Sequence, residues 1–204
     1  MSSVRVFLGV PLTEELQNAI RSLQRDLKAR IRDIRWSRPE NLHLTLHFFG
    51  ETEQENLEKI RVSMLSVKRC HRPFLVDVIG LGAFPSLRRP RVIWLGLNPQ
   101  NQLGQLHRDC RRALHATGLV TDSRPYSPHL TIGRAKKKTN ELTTLGLDLG
   151  QQLVGHLPVD RLILYESRLK PEGAEHIPLF TIGLDNQIDD FRQQPENSMW
   201  IFTL

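Results

Sequence analysis

The sequence predicts an α+β fold with two pseudo-symmetric lobes, each built on an antiparallel or mixed sheet flanked by helices. The predicted order of elements is β-α-β-α-β-β-α-β-loop-β-β, in which strands form hairpin-like pairs, and this order argues against a doubly wound parallel sheet. A second observation is a repeated pattern, His-x-Thr-x with an aliphatic residue at each x, at residues 43–46 and 129–132. Because the copies are separated by close to half of the folded body, we expect one copy on either side of a cleft between the lobes.

The first part of the chain contains two strands that are each followed by a helix. A run rich in β-branched residues ends at Pro11, and Thr13 provides an N-cap with Glu14 and Glu15 in the turn after it. Aliphatic residues then recur at three- and four-residue spacing in both predicted helices. The elements predicted here are a strand at 4–10, a helix at 14–30, a strand at 42–49 that ends at Gly50, and a helix at 53–67.

The second part of the chain contains more strands and a single helix. A basic turn separates two strands, and Gly118 is a suitable residue to end the helix that follows them. The stretch 135–150 is polar and contains glycine, which is typical of a loop. The elements predicted here are strands at 74–81 and 91–97, a helix at 101–117, a strand at 129–132, a strand at 159–165, a turn at 171–175 and a last strand at 177–184.

Length and composition exclude several classes of protein. The 204 residues suffice for one bilobal domain, expected at 1–184, followed by a polar extension at 185–204 to which no role can be given. No apolar run approaches the ~20 residues that span a bilayer, and two distant cysteines make no disulfide framework. We therefore expect a cytoplasmic monomer with no membrane partner. The net charge of +6, with basic clusters close to the second repeat, favours a phosphate-bearing substrate.

The repeated pattern has a simple chemical interpretation. Successive side chains of a strand point to opposite faces, so each copy would bury its aliphatic residues and present its histidine beside its threonine. His43 and His129 suit proton transfer at neutral pH because the unperturbed pKa of histidine is ~6.5. The hydroxyls of Thr45 and Thr131 can donate to phosphate oxygens, and Arg134 adds a fixed positive charge. The pattern indicates a metal-free acid–base site with an anion-binding floor.

The residues around both copies resemble the two signatures of the 2H phosphoesterase superfamily. These signatures are Asn-Leu-His-Leu-Thr-Leu from residue 41 and Pro-His-Leu-Thr-Ile-Gly-Arg from residue 128. Within the superfamily, the chain is most similar to the bacterial and archaeal RNA 2′,3′-cyclic phosphodiesterases, also called 2′-5′ RNA ligases. A strand at 91–96, Arg-Val-Ile-Trp-Leu-Gly, is similar as well, and the resemblance extends over residues 7–184.

This resemblance implies hydrolysis of a terminal RNA 2′,3′-cyclic phosphate to a 2′-phosphate, without a metal or any other cofactor. Reversal of the same chemistry would join RNA ends through a 2′-5′ linkage. The family pattern implies that His43 is the proton donor to the leaving ribose 3′-oxygen and that His129 is the proton acceptor from water. The sequence itself treats the two histidines alike.

Base recognition has two candidates at the end of the first motif strand. The family often places an aromatic side chain there, which corresponds to Phe48. Simple alternation instead puts His43, Thr45, His47 and Phe49 on one face, so Phe49 is the better candidate unless a bulge or bend before Gly50 turns Phe48 around. In a strand, His43 and His47 would lie ~13 Å apart, too far to share a metal ion.

Two other functions remain open from the sequence. One is a non-catalytic module that binds RNA or a nucleotide in the same basic cleft. The other is an enzyme of the same superfamily that acts on small cyclic nucleotides instead of RNA ends. His107, on the third helix, has polar neighbours and is expected to be solvated.

Overall fold

The computed structural model describes residues 3–119, 124–137, 142, 149–170 and 173–184, and it confirms the α+β prediction. Every strand pairing in this part of the chain is antiparallel. The helices are α1 Glu14–Arg30, α2 Gln54–Lys68 and α3 Gln100–Ala116, with a short 3-10 helix at Pro39–Asn41. The strands are β1 Ser3–Pro11, β2 Ile34–Trp36, β3 His43–Glu53, β4 Phe74–Phe84, β5 Val92–Asn98, β6 His129–Ala135, β7 Leu153–Val159, β8 Arg161–Lys170 and β9 Gly173–Gly183.

The strands form one hydrogen-bonded sheet in the order β7-β4-β5-β6-β3-β1-β8-β9, and β2 pairs with β6. Two half-sheets meet where β3 and β6 pair at a single position, Leu44 opposite Leu130. One half contains β1, β3, β8 and β9, and the other contains β4 to β7. The last hairpin, β8–β9, therefore belongs to the half-sheet that contains the first strand, β1. The two halves of the sheet are consequently not the two halves of the sequence.

Helix α1 begins as predicted because the Thr13 hydroxyl accepts a hydrogen bond from the Leu16 amide at 3.3 Å. Although α1 follows β1 in the chain, it packs on β7 of the other half-sheet, while α2 and α3 pack together and against β3. The buried Gln24 side chain donates to the carbonyls of Ser37 and Ile132, each at 2.9 Å. This amide fixes α1 to the second motif strand and to the segment that leads into the first.

Several predicted boundaries are wrong. Strand β3 does not end at Gly50, because that residue continues the strand with a φ of +74°. The predicted strand 159–165 joins the last residue of β7 to the first half of β8, and β7 itself was not predicted. The two chain segments separate at Asp160, whose carbonyl accepts from the Leu184 amide at 2.7 Å. Strand β2 was also missed.

The remaining predictions fall partly outside the described residues. Gly173 begins β9, so the end of the predicted turn 171–175 is strand. Most of the predicted loop 135–150 and the whole extension 185–204 lie outside the described part of the chain. None of the three α-helices given above is long and apolar enough to cross a membrane.

Candidate active site

A β-bulge in the first motif strand changes which side chains share a face. Thr45 pairs with Gly9 and His47 pairs with Leu8, so Leu46 is an extra residue in β3. Leu46 and His47 are consequently both buried, and Phe48 is 43% exposed on the side of the sheet that carries Thr45. The prediction of one face with His43, Thr45, His47 and Phe49 is therefore wrong beyond Thr45.

The second motif strand contains the same irregularity at the same place. Thr131 pairs with Trp94 and Gly133 pairs with Ile93, so Ile132 is the extra residue. Arg134 then lies five residues after His129, on the motif face, as Phe48 lies five residues after the histidine of the first copy. Both strands have the same order of buried and exposed side chains over these positions. The two copies differ in the side chain five residues after the histidine, which is the aromatic ring of Phe48 in the first copy and the guanidinium of Arg134 in the second.

The single pairing between the motif strands brings the two copies together. Because β3 and β6 are antiparallel and Leu44 pairs with Leu130, His43 lies across from Thr131 and His129 lies across from Thr45. The aliphatic residues of both copies point into the core and are almost fully buried. The opposite face therefore presents two histidine–threonine pairs related by an approximate twofold axis, as the sequence pattern predicts.

These four side chains form the floor of a pocket of about 380 Å³. Phe48 and Arg134 also contact this pocket, whereas Phe49 packs partly buried against the core. The complete lining is Arg5, Phe7, Arg35, Trp36, Ser37, Arg38, Asn41, His43, Thr45, Phe48, His129, Thr131, Arg134, Ser167, Leu169, Gly173, Ala174 and His176. Of the two base-stacking candidates, Phe48 is the one that the pocket can use.

Both catalytic candidates have the same tautomer. Nδ1 of His43 lies 2.8 Å from the carbonyl of Asn41, and Nδ1 of His129 lies 2.7 Å from the carbonyl of Ser127. A carbonyl can only accept, so Nδ1 carries the proton in each ring and donates it to the residue two positions earlier in the chain. Nε2 of each neutral ring is thereby left as the atom that can exchange a proton with a ligand.

The two histidines differ in their surroundings. The His43 ring stacks on Phe7 with 4.3 Å between centroids, whereas Phe84 meets the His129 ring edge to face at 5.0 Å. Both rings lie beside Gly9, where an added Cβ would lie 3.5 Å from the Phe7 ring, 3.6 Å from the His43 ring and only 2.9 Å from the main-chain oxygen of Leu44. Burial, followed by the charges of nearby histidines, lowers the pKa of His43 to about 4.

The charged lining of the pocket is basic. Arg35 and Arg134 are cross-strand neighbours on β2 and β6, an arrangement that is destabilising unless an anion lies between the side chains. The Arg5 guanidinium lies 4.8 Å from the centroid of the Phe48 ring, in a cation–π contact. None of these arginines, nor Arg38, forms an ion pair with a carboxylate among the described residues. This concentration of unneutralised charge suits a phosphorylated ligand.

The sequence prediction missed several pocket residues. Arg35 lies on the short strand β2, and Arg38 lies two residues after it. This short segment shows no recognisable hydrophobic periodicity. His176 belongs to β9, more than forty residues beyond the second motif, and it reaches His43 because β9 pairs with β8, β8 with β1 and β1 with β3. Arg5 could have been predicted from strand alternation, because it lies two residues before Phe7 on the same face of β1.

His47 and His107 form a separate buried stack behind the motif strand. Their rings are 4.3 Å apart and nearly parallel, and Nε2 of His47 donates to the His107 carbonyl at 3.1 Å. Tyr126 stacks on the other side of His107 at 4.1 Å and donates its hydroxyl to the carbonyl of Thr45 at 3.3 Å. The prediction that His107 is solvated is wrong, because only 8% of it is exposed.

Comparison with known proteins agrees with this geometry. Residues 10–94 match the family model described as LigT-like phosphoesterase. The chain is 34% identical over 180 residues to the RNA 2′,3′-cyclic phosphodiesterase of Methanothermobacter thermautotrophicus, covering 87% of this chain and 95% of the relative. It is 30% identical to the protein of the same name from Thermotoga maritima, covering 87% of this chain and 94% of the relative.

Solved structures share the fold. A Thermus thermophilus protein structure superposes with a TM-score of 0.74 at 27% identity, over 88% of this chain and 97% of that one. Escherichia coli LigT, solved with 3′-AMP, superposes with a TM-score of 0.68 at 24% identity, over 89% of this chain and 98% of that one. A curled antiparallel sheet with two His-x-Thr-x strands over one basic pocket defines a two-histidine phosphoesterase. The chain belongs to the LigT-like phosphoesterase family of the 2H superfamily, which confirms the resemblance stated from its motifs.

Proposed function

We propose that this protein hydrolyses the 2′,3′-cyclic phosphate ends of RNA to 2′-phosphate ends, with two histidines and no metal. The observation that carries this proposal is that His43 and His129 each fix Nδ1 on a carbonyl and border one pocket, each across from the threonine of the other motif. Curated relatives named RNA 2′,3′-cyclic phosphodiesterase support the same substrate.

The reaction needs one proton acceptor and one proton donor on opposite sides of the phosphorus. A water oxygen attacks phosphorus while its proton passes to Nε2 of His129, and the bond from phosphorus to the ribose 3′-oxygen breaks. His43 gives a proton from Nε2 to that oxygen, which leaves a 3′-hydroxyl and a 2′-phosphate. The same sequence, with an RNA 5′-hydroxyl in place of water as the nucleophile, leaves the phosphorus joined to the 2′-oxygen and the incoming 5′-oxygen, which is a 2′-5′ linkage.

The remaining lining residues have roles that follow from their chemistry. The hydroxyls of Thr45 and Thr131 donate to the non-bridging oxygens as negative charge grows on them. Arg134 contributes a planar fork of donors to the same phosphate. Phe48, with one face held by Arg5, offers its other face to the terminal base, which gives stacking with little base preference.

The direction of proton transfer depends on the charge of His43. A pKa of about 4 makes this ring neutral near pH 7 in the free protein, and a neutral Nε2 accepts a proton instead of donating one. The donor role therefore requires the bound phosphate to raise the pKa of His43, which a nearby anion does. If the 2′-oxygen left instead of the 3′-oxygen, the product would carry a 3′-phosphate.

Product analysis tests the proposed function and the assignment of the leaving ribose oxygen together. An RNA oligonucleotide with a 2′,3′-cyclic end is incubated with the protein in EDTA, and the phosphate position is determined by ³¹P NMR. We expect a 2′-phosphate; a 3′-phosphate would reverse the assignment of the leaving oxygen, and no hydrolysis at all would refute the function. His43→Ala and His129→Ala should each lower kcat by about 10²–10⁴-fold. His156→Ala, at an exposed histidine paired with Asp77, should not.

A second candidate substrate is a small 2′,3′-cyclic nucleotide. A pocket of about 380 Å³ is at the small end of the range for ligand sites, which favours a ligand of limited size. The RNA end is distinguished from this alternative by comparing kcat/KM for a cyclic mononucleotide and for an oligonucleotide with the same terminal residue. A higher value for the mononucleotide would favour the small substrate.

We also propose that the protein acts as a monomer in the cytoplasm. Cys70 is exposed, Cys110 is buried, and both are free thiols, as a reducing compartment would keep them. Light scattering tests the monomer directly. A stable dimer in dilute solution would contradict it.

A further inference from the structure

A third histidine, His176, lies against His43 in the same pocket. The two rings meet edge to face, with centroids 5.0 Å apart and planes at 87°. His176 also meets Phe7 edge to face at 4.9 Å, so Phe7 supports both imidazoles at once. No role has been given to this residue so far, although it borders the pocket between His43 and the β8–β9 hairpin.

The position of His176 is fixed by Asn41. The side-chain amide of Asn41 donates to the carbonyl of Ala174 at 2.7 Å, and the main-chain carbonyl of Asn41 accepts from Nδ1 of His43 at 2.8 Å. A single residue thus holds both the catalytic ring and the strand that carries His176. Movement of β9 relative to His43 would require loss of the hydrogen bond to Ala174.

One ring nitrogen of His176 lacks a partner in the structure. Its Nδ1 is buried and forms no hydrogen bond with any described residue, whereas Nδ1 of His43 and of His129 each donate to a carbonyl. A buried nitrogen without a partner is costly if it carries a hydrogen, so the favoured neutral form of His176 has its hydrogen on Nε2. Protonation would place a second N–H where nothing accepts it, and burial lowers the pKa of His176 accordingly.

Within the described part of the chain, no carboxylate is paired with His176 to stabilise a positive charge. The titratable side chains in ring contact with it are His43 on β3 and Tyr165 on β8, and the charged or titratable residues that line the same pocket are Arg5, Arg35, Arg38, Arg134 and His129. The nearest hairpin carboxylate, Glu175, is paired with Lys170 at 2.8 Å. Two imidazolium ions at 5.0 Å would repel each other, so the pair binds a second proton less easily than the first.

We propose that His176 is a positioning residue that titrates jointly with His43 and thereby controls the proton on His43. The edge-to-face contact sets the orientation of the His43 ring, and the two rings share a single proton when a phosphate anion occupies the pocket. This inference rests on the proposed function for its catalytic meaning. The coupling itself is a property of the free protein and can be measured without any substrate.

The test is an NMR titration of the histidine ¹³Cε1 signals in the free protein. His43→Gln and His176→Gln identify the two signals, and His176→Gln removes the second titrating group while keeping a polar side chain. We expect the His43 midpoint to rise by about one pH unit in His176→Gln, because a neighbouring positive charge is removed. His156→Gln, the same change at the exposed histidine on β7, should leave the His43 midpoint in place. An unchanged His43 midpoint in His176→Gln would overturn the proposal.

A second variant separates titration from packing. His176→Phe keeps an aromatic ring against His43 and Phe7 but cannot take a proton. If His176 acts through titration, the limb of the kcat/KM pH profile that belongs to His43 should move in both His176→Gln and His176→Phe, while the His129 limb stays. Wild-type pH behaviour in His176→Phe would reduce the role of His176 to packing. If the wild type shows no activity on the cyclic-phosphate substrate but the NMR titration shows the coupling of His43 and His176, the proposed function is refuted and the coupling is retained.

Discussion

Leu44 pairs with Leu130, and this is the one register position at which the two motif strands meet within the described residues. The pairing joins the half-sheets and at the same time sets the spacing of the active site. Each leucine is fully buried, and its neighbours on either side are the histidine and threonine of its own motif. Away from this position β3 remains paired with β1, and β6 with β5 and β2, so the two motif strands separate and the pocket lies between them.

Phe48 and Phe49 should respond differently to the same substitution. Phe48→Ala should raise KM for a cyclic-phosphate RNA end, because loss of one stacked base costs about 1–3 kcal/mol, and it should leave the melting temperature nearly unchanged. Phe49→Ala should lower the melting temperature instead, because Phe49 packs against the core. Steady-state kinetics and thermal unfolding of both variants check this. A larger KM effect for Phe49→Ala would mean that the bulge does not position Phe48 as described.

The residues at the floor of the pocket could be predicted from the sequence, whereas several residues at its sides could not, and the difference has a physical reason. His43, Thr45, His129 and Thr131 follow strand alternation, which is local and visible in four residues. The bulges after each threonine depend on pairing with β1 and β5, so the face of Phe48 could only be raised as an alternative. His176 reaches the pocket through long-range pairing of β9 with β8 and of β8 with β1, which leaves no periodic signal in the chain.

Replacing either motif threonine by valine should lower activity without unfolding the protein. Valine keeps the β-branched shape that suits a strand but removes the hydroxyl donor. Thr45→Val and Thr131→Val should each cost about 2–4 kcal/mol of transition-state stabilisation, seen as a fall in kcat/KM. Thr45→Ser and Thr131→Ser retain the donor and serve as controls that should stay near wild-type activity. Equal losses in the serine and valine variants would show that the methyl group, not the hydroxyl, is what matters.

Arg35 and Arg38 should matter more for an RNA strand than for a single nucleotide. A cyclic phosphate carries one negative charge, which Arg134 can match, and the other two arginines remain for a further phosphodiester. Arg35→Ala/Arg38→Ala should lower kcat/KM for a dinucleotide with a cyclic end by about tenfold and change the mononucleotide by less than about threefold. The salt dependence of oligonucleotide binding should weaken by about 1.4 in log–log slope. Arg72→Ala removes an exposed arginine outside the pocket, and equal effects in that variant would contradict the assignment.

The buried His47–His107–Tyr126 stack should make the fold sensitive to acid. Burial, followed by the charge of His107, lowers the pKa of His47 to about 4, below the 6.5 expected in the unfolded chain. Between these two values the unfolded state binds more protons, so stability falls as the pH decreases from 6.5 toward 4. From pH 7 to pH 5, His47 alone should account for a loss of roughly 2 kcal/mol in the free energy of unfolding.

Urea unfolding at pH 7 and pH 5 measures this contribution. His47→Phe keeps a flat ring on His107 but cannot be protonated, so its stability should fall by roughly 2 kcal/mol less than that of the wild type between the two pH values. The comparison uses the change with pH within each protein, which removes the cost of losing the hydrogen bond from Nε2 to the His107 carbonyl. His156→Phe, at an exposed histidine, should behave like the wild type. Parallel losses in the wild type and His47→Phe would show that His47 is protonated equally in the folded and unfolded states, because only a difference in proton binding between them makes stability depend on pH.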